Sequence, residues 1–134
     1  MNYLERLVER YPALDGMKDT IEEAFQIMKA SYENGGKLLV CGNGGSASDS
    51  DHIVGELMKG FYKKRPLSEA EKEKFGGLSE HLQGALPAIS LAGHPALSTA
   101  FLNDVNPEMI FAQQVYGYGL KGDVLIAMKI GRAS

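Results

Sequence analysis

The chain has 134 residues, enough for one domain with a core and too few for two. Hydrophobic residues make up 44% and charged residues 23%, an ordinary globular balance, and the net charge of −3 argues against non-specific nucleic-acid binding, which favours a basic surface. No apolar run approaches a membrane span, residues 1–6 do not read as a signal peptide, and the single cysteine, Cys41, allows no internal disulfide, so a cytoplasmic protein is expected.

Residues 3 to about 10 carry Leu4, Leu7 and Val8 at helical spacing and predict a short amphipathic helix. Pro12 and Gly16 bracket a break. A long helix should then run from about Met17 to Glu33, with Met17, Ile21, Ala24, Phe25, Met28 and Tyr32 along one stripe, closed by a left-handed cap at Asn34-Gly35-Gly36. That stripe can pack on the chain's own sheet, form a bundle between subunits, or do both. Leu38 to Cys41 is apolar and too short for a helix, so it reads as a buried strand.

The stretch that follows organises the rest of the chain. Gly42-Asn43-Gly44-Gly45 allows positive φ and a tight turn. Ser46 and Ser48 are good N-cap residues, and a helix follows with Ile53, Leu57 and Phe61 on one side. A strand, a glycine turn and a serine-opened helix point free backbone N–H groups and a positive dipole end at an anion, and phosphate is the expected one. No Walker lysine is present, and Gly42-Asn43-Gly44 with Ala47 matches only the looser dinucleotide fingerprint. The alternative is a tight strand-to-helix turn with no ligand, although such a turn has little need for hydroxyls at Ser46, Ser48 and Ser50.

Beyond this helix, Lys59, Lys63, Lys64 and Arg65 form a basic run, either a solvated helix end or an anion contact. Residues 67–84 are charged and helix-prone, with Ser68 as N-cap and His81 at the surface. Ala85 to Ala92 predicts a second strand and Pro95 to Leu102 a short helix ending at Asn103-Asp104, with His94 in the preceding loop. The residues alone read Asn103-Asp104 as a helix-end turn. Val105 to Gly117 predicts another helix, with Met109, Ile110, Ala112 and Val115 as its apolar side, and Gly122 to Met128 a third strand. Alternating strands and helices imply a parallel α/β sheet with right-handed crossovers, whose ligands gather outside the carboxyl ends of the strands. Asn43 to Ser46 and Ala92 to Asp104 both follow strand ends.

Cys41-Gly42-Asn43-Gly44-Gly45-Ser46, followed by an Asp and then His52-x-x-x-Glu56-Leu57, closely resembles the sugar isomerase (SIS) domain, and within it the phosphoheptose isomerase group. The resemblance implies a three-layer α/β sandwich of Rossmann-like or flavodoxin-like type, with long N-terminal helices that bundle subunits into dimers or tetramers. It implies that Asn43, Gly44, Gly45 and Ser46 hold a sugar phosphate, and that Asn103 and Asp104 contact the sugar. His52 and Glu56 would share one helix face as metal ligands, zinc being the expected ion, with Glu56 also the catalytic base. Without the surrounding motif, the same two residues read as a satisfied helix histidine and a surface acid.

The chain, 1–134, is thus expected to be one partial SIS domain, with 67–84 a helical insertion relative to the family. It departs from the family after Ile126: the second serine-rich phosphate loop and the later Gln and His are absent, and residues 129–134 look like a truncation or an altered reading frame. The exposed third strand this leaves implies an oligomer. Two functions follow from the resemblance: aldose–ketose isomerisation of a phosphorylated sugar, incomplete in this chain, or a non-catalytic SIS module that senses a phosphosugar or scaffolds a partner.

Overall fold

The structure is a computed structural model that describes residues 2–129. The expected altered tail therefore lies, apart from Lys129, outside the described residues. Helix α1 (Tyr3–Arg10) starts where Asn2 Oδ1 accepts the amides of Leu4 and Glu5, at 3.0 and 3.3 Å. The break between Pro12 and Gly16 is wound, a 3-10 helix over Pro12–Met17. Helix α2 (Lys18–Glu33) ends at Asn34, and Gly35 at φ 77° turns the chain toward the sheet as the glycine pair predicted.

Strand β1 (Leu38–Gly42) is buried along its whole length, because it is the centre of a three-stranded parallel sheet of order β2-β1-β3. Its partners are β2 (Ala88–Ser90), shorter than the apolar run 85–92 suggests, and β3 (Val124–Met128). Leu38 stands opposite Ala88 on one side and Val124 on the other. The side chains of β1 alternate between two layers. Leu39 and Cys41, with Leu91, pack under Phe111 and Val115 of α6 (Ile110–Tyr118). Leu38 faces a hollow shared with Phe25, Met28 and Tyr32 of α2 and with Leu57 of α3 (Gly45–Met58). Helices on both faces of a parallel sheet make the three-layer α/β architecture that the sequence predicts.

Three pairings hold the sheet to its helices. Ser31 of α2 donates to the Gly122 carbonyl at 2.7 Å. Asp123, before β3, accepts from Lys37 Nζ at 2.6 Å, the Lys37 amide at 2.9 Å and the Leu120 amide at 2.7 Å. Burial pushes the Asp123 carboxyl up, but the hydrogen bonds from Lys37 and Leu120 and the Lys37 charge outweigh it and hold the carboxyl below its ordinary value. Gln114, buried on α6, donates to the Leu91 carbonyl at 2.9 Å.

Several expected faces differ from the observed ones. The predicted helix over Val105 to Gly117 is broken by a 3-10 turn at Pro107–Met109, so α-helical register starts only at Ile110. Its inward side is Phe111, Gln114 and Val115, while Met109 and Ala112 are exposed. Helix α3 ends at Met58, which leaves Phe61 outside it and 70% exposed. Of the expected stripe, Ile21, Met28 and Tyr32 are half-buried on α2, whereas Ala24 and Phe25 are exposed there and Met17, also exposed, lies in the preceding 3-10 turn. Within 67–84, Ser68 and Glu71 form a reciprocal capping box that opens α4 (Glu69–Phe75), and a 3-10 turn follows over Gly76–His81, with His81 exposed. Among the described residues β3 has a partner on one side only, and no helix is long and apolar enough to cross a membrane.

Candidate functional site

The buried centre of the sheet delivers its carboxyl end to the glycine turn. Asn43-Gly44-Gly45-Ser46 closes with the Ser46 amide donating to the Asn43 carbonyl at 3.1 Å, and Gly44 adopts φ 58° and ψ −124°. This is the first central position of a type II′ turn, which side-chain-bearing residues rarely occupy. Gly42 matters for a different reason. A Cβ there would lie 2.6 Å from Ser46 Cβ and 2.8 Å from the Ser46 carbonyl oxygen, so the glycine lets α3 start directly against the strand end.

The helix start differs from the serine-capped one expected. Gly44 is the N-cap and makes no side-chain bond, while Ser46 and Ser48 lie inside the first turn of α3. The turn consumes the Ser46 and Ala47 amides on the Asn43 and Gly44 carbonyls, at 3.1 and 3.0 Å. The Gly44 amide has no acceptor among the described residues. Of the three hydroxyls, Ser50 is structural: it is fully buried and donates back to the Ser46 carbonyl at 2.8 Å. Ser46 is only 6% exposed, yet its Oγ makes no hydrogen bond among the described residues and lines a cleft.

Two clefts flank this turn and share Gly42, Asn43 and Phe111. One, of about 410 Å³, lies on the β3 side and adds Cys41, Ser46, Ala127, Met128 and Lys129. The other, of about 390 Å³, lies on the β2 side and adds Gly44, Ala92, Ser98 of α5 (Pro95–Asp104), Pro107, Glu108 and Ile110. Both volumes suit a small-molecule ligand. Burial raises the Cys41 thiol above its ordinary pKa, so it is a core side chain and not a nucleophile at neutral pH.

The remaining expected site residues are placed elsewhere. His52 and Glu56 do share one face of α3, with His52 Nε2 3.9 Å from Glu56 Oε1, and both side chains are exposed. At 1.5 Å per residue they stand about 10 and 16 Å along the helix from its start, and neither lines the two clefts. Asn103 and Asp104 form the last turn of α5, where Asn103 Nδ2 donates to Asp104 Oδ1 at 2.8 Å, and they too stand off the clefts. His94 is the N-cap of α5, its ring centroid 5.5 Å from that of Tyr118.

The basic run does not reach the turn either. Arg65 closes the far end of α3, donating to the Leu57 carbonyl at 2.5 Å and the Gly84 carbonyl at 2.8 Å. Lys63 sits over the Tyr3 ring. The clefts instead recruit Ser98, Glu108 and Lys129, which carried no signal in the sequence because only the sheet order brings them to one edge.

A zinc ion does not fit the described residues as they stand. His52 and Glu56 supply two donors, a catalytic zinc takes three protein ligands, and no group of three or more His, Cys, Asp or Glu able to hold a metal occurs among the described residues.

A parallel α/β domain whose central strand runs through a glycine turn into a helix start belongs to the class of open α/β folds whose ligands gather outside the carboxyl ends of the strands. Within that class the assignment is specific: the SIS domain model matches residues 2–72, and the chain belongs to the SIS domain family. It is 35% identical over 127 residues to the phosphoheptose isomerase of Laribacter hongkongensis, covering 95% of this chain and 56% of that protein. With the phosphoheptose isomerase of Helicobacter pylori it shares 38% identity over 116 residues, covering 87% and 51%. Among solved structures, a phosphoheptose isomerase from Francisella tularensis superposes with a TM-score of 0.64 at 30% identity, covering 96% of this chain and 62% of that one. GmhA, the phosphoheptose isomerase from Neisseria gonorrhoeae, gives 0.58 at 25% identity, covering 96% and 61%. The chain thus spans a little over half the length of the curated relatives it matches.

Proposed function

We propose that this chain binds a phosphorylated sugar at the Asn43–Ser46 turn and belongs to an aldose–ketose isomerase acting on a phosphoheptose such as sedoheptulose 7-phosphate. The observation that carries the reading is Ser46: buried, unpaired at Oγ, and lining a cleft beside the glycine turn at the carboxyl end of the central strand. The similarity to phosphoheptose isomerases over 95% of the chain supports the same substrate class.

The isomerisation moves a proton between C1 and C2 through an enediolate. It needs a base at carbon and an acid at oxygen. Asn43, Gly44, Gly45 and Ser46 hold the phosphosugar, and Asn103 and Asp104, the sugar contacts that the family resemblance implies, stand off both clefts and so reach it only from a second copy of the chain. Glu56 is the base in this reading, but it stands well along α3 from its own turn. It therefore works on a ligand held by a second copy of the chain, in a dimer or tetramer packed through the outward stripe of α2. His52 sits beside it, and no step is routed through a metal, since two donors do not close a zinc site. A cytoplasmic setting suits a phosphorylated sugar. Residues 67–84 are an excursion on this framework.

The test is isothermal titration with sedoheptulose 7-phosphate, with and without zinc, beside a coupled isomerase assay. Binding with turnover that falls in Glu56→Gln supports the whole reading. Binding without turnover would leave a phosphosugar-binding module. No binding by folded protein would overturn it.

A further inference from the structure

The two clefts beside the turn carry opposite charge. On the β3 side, Lys129 stands in the same lining as Ser46 Oγ and makes no ion pair among the described residues. On the β2 side, Glu108 and Ser98 are the polar side chains beyond the turn itself. The Pro107–Met109 turn holds Glu108 in place, with its amide donating to Asn106 Oδ1 at 2.8 Å. Glu108 likewise has no cation paired to it among the described residues. Because both linings share Gly42, Asn43 and Phe111, one ligand can lie across the turn and use both.

We propose that the ligand is polarised across Gly42–Asn43, with its phosphate over Ser46 and Lys129 and its hydroxylated carbon chain over Ser98 and Glu108. Glu108 then becomes a specificity-determining residue that reads sugar hydroxyls. This rests on the phosphosugar reading above and goes beyond it by orienting the ligand. The charges decide the direction. A phosphate beside the Glu108 carboxylate would meet like charge in a partly desolvated cleft, whereas beside Lys129 it meets a cation. A carboxylate is conversely a strong acceptor for sugar hydroxyl donors, and a polar group left unpaired by the wrong ligand discriminates sharply. Ser98 adds a hydroxyl that can donate or accept at the same end.

The experiment is calorimetric titration of this chain with two probes, inorganic phosphate and sedoheptulose 7-phosphate, each at two salt concentrations. Lys129→Ala should weaken both probes about fivefold or more and flatten the salt dependence, and Lys129→Arg should restore both. Glu108→Ala should leave inorganic phosphate unchanged or slightly tighter and weaken the sugar phosphate about tenfold. Both positions are exposed, so thermal melts should match wild type and separate a binding effect from misfolding. If wild type binds and Glu108→Ala weakens both probes equally or neither, the orientation is overturned while the phosphosugar reading stands. The orientation is equally overturned if Lys129→Ala leaves phosphate binding unchanged. If folded wild type binds neither probe, the phosphosugar reading fails and the orientation fails with it.

Discussion

Three neighbouring glycines in the turn should respond to alanine in three different ways, because each is a glycine for a different reason. At Gly42 a new Cβ would lie 2.6 Å from Ser46 Cβ, 2.8 Å from the Ser46 carbonyl oxygen and 2.9 Å from its carbonyl carbon. Two of those atoms are backbone, so no rotamer change relieves the clash and α3 must move off the strand end. Overpacking of this kind costs roughly 1–3 kcal/mol, and the rigid neighbours put Gly42→Ala near about 3. At Gly44 there is open space, but φ 58° with ψ −124° is strained for any side chain, at roughly 1–3 kcal/mol. At Gly45 nothing lies within 4 Å and φ is not positive, so Gly45→Ala should stabilise the start of α3 by about 0.5–1 kcal/mol. Urea unfolding midpoints of the three variants give the ranking, and phosphate titration shows whether the displaced Ser46 loses its ligand. A Gly42→Ala protein with the wild-type midpoint would refute the argument that the close approach of Ser46 requires glycine.

Asp123→Ala removes three hydrogen bonds and leaves Lys37 half-buried without its partner, which should cost about 2–4 kcal/mol in urea unfolding. Since the folded Asp123 carboxyl sits below its ordinary value, its contribution is complete above the unfolded pKa and is lost as pH falls through the folded one. Wild type should therefore lose stability below about pH 4 more steeply than Asp123→Asn, and parallel acid profiles would count against the ion pair. Arg65→Ala strips the side-chain donor from the Gly84 carbonyl and one of two donors from the Leu57 carbonyl, which keeps the Leu86 amide, and should cost roughly 1–2 kcal/mol, with phosphate affinity unchanged because Arg65 serves the other end of α3. Tyr3 at 63%, Phe25 at 52% and Leu125 at 48% exposure leave apolar surface on α1, α2 and the edge strand, so the chain should self-associate. Light scattering after size exclusion should show a dimer or larger, reduced by Phe25→Glu, and a dispersed wild-type monomer would contradict this.

Local signals were legible where local physics decides them. Pro12, the Asn34-Gly35-Gly36 cap and the Ser68 N-cap all do what their residue types dictate, because caps and turns are settled within four or five residues. The helix faces were less legible. Met109 and Ala112 fit the apolar period of a helix counted from Val105, but Pro107 imposes a 3-10 turn that resets the register at Ile110 and brings Gln114 inward. The serines misled in a similar way. Ser46 and Ser48 are good caps by composition, yet Gly44 takes the cap because only it can adopt the backbone geometry that the turn needs.

The alternation of strand and helix, the buried central strand and the glycine turn at its carboxyl end are each encoded in a contiguous stretch of chain and could be read from it. Which residues meet at that turn depends instead on how the strands are ordered in the sheet. The order β2-β1-β3 places Lys129 on one side of Asn43 and Ser98 and Glu108 on the other, residues 86, 55 and 65 positions away along the chain. It also leaves His52 and Glu56, close to the turn in sequence, further down α3 and off both clefts. A helix carries its residues away from its start at a fixed rise, whereas a parallel sheet returns every crossover to the same edge, so proximity in sequence and proximity at the site part company here.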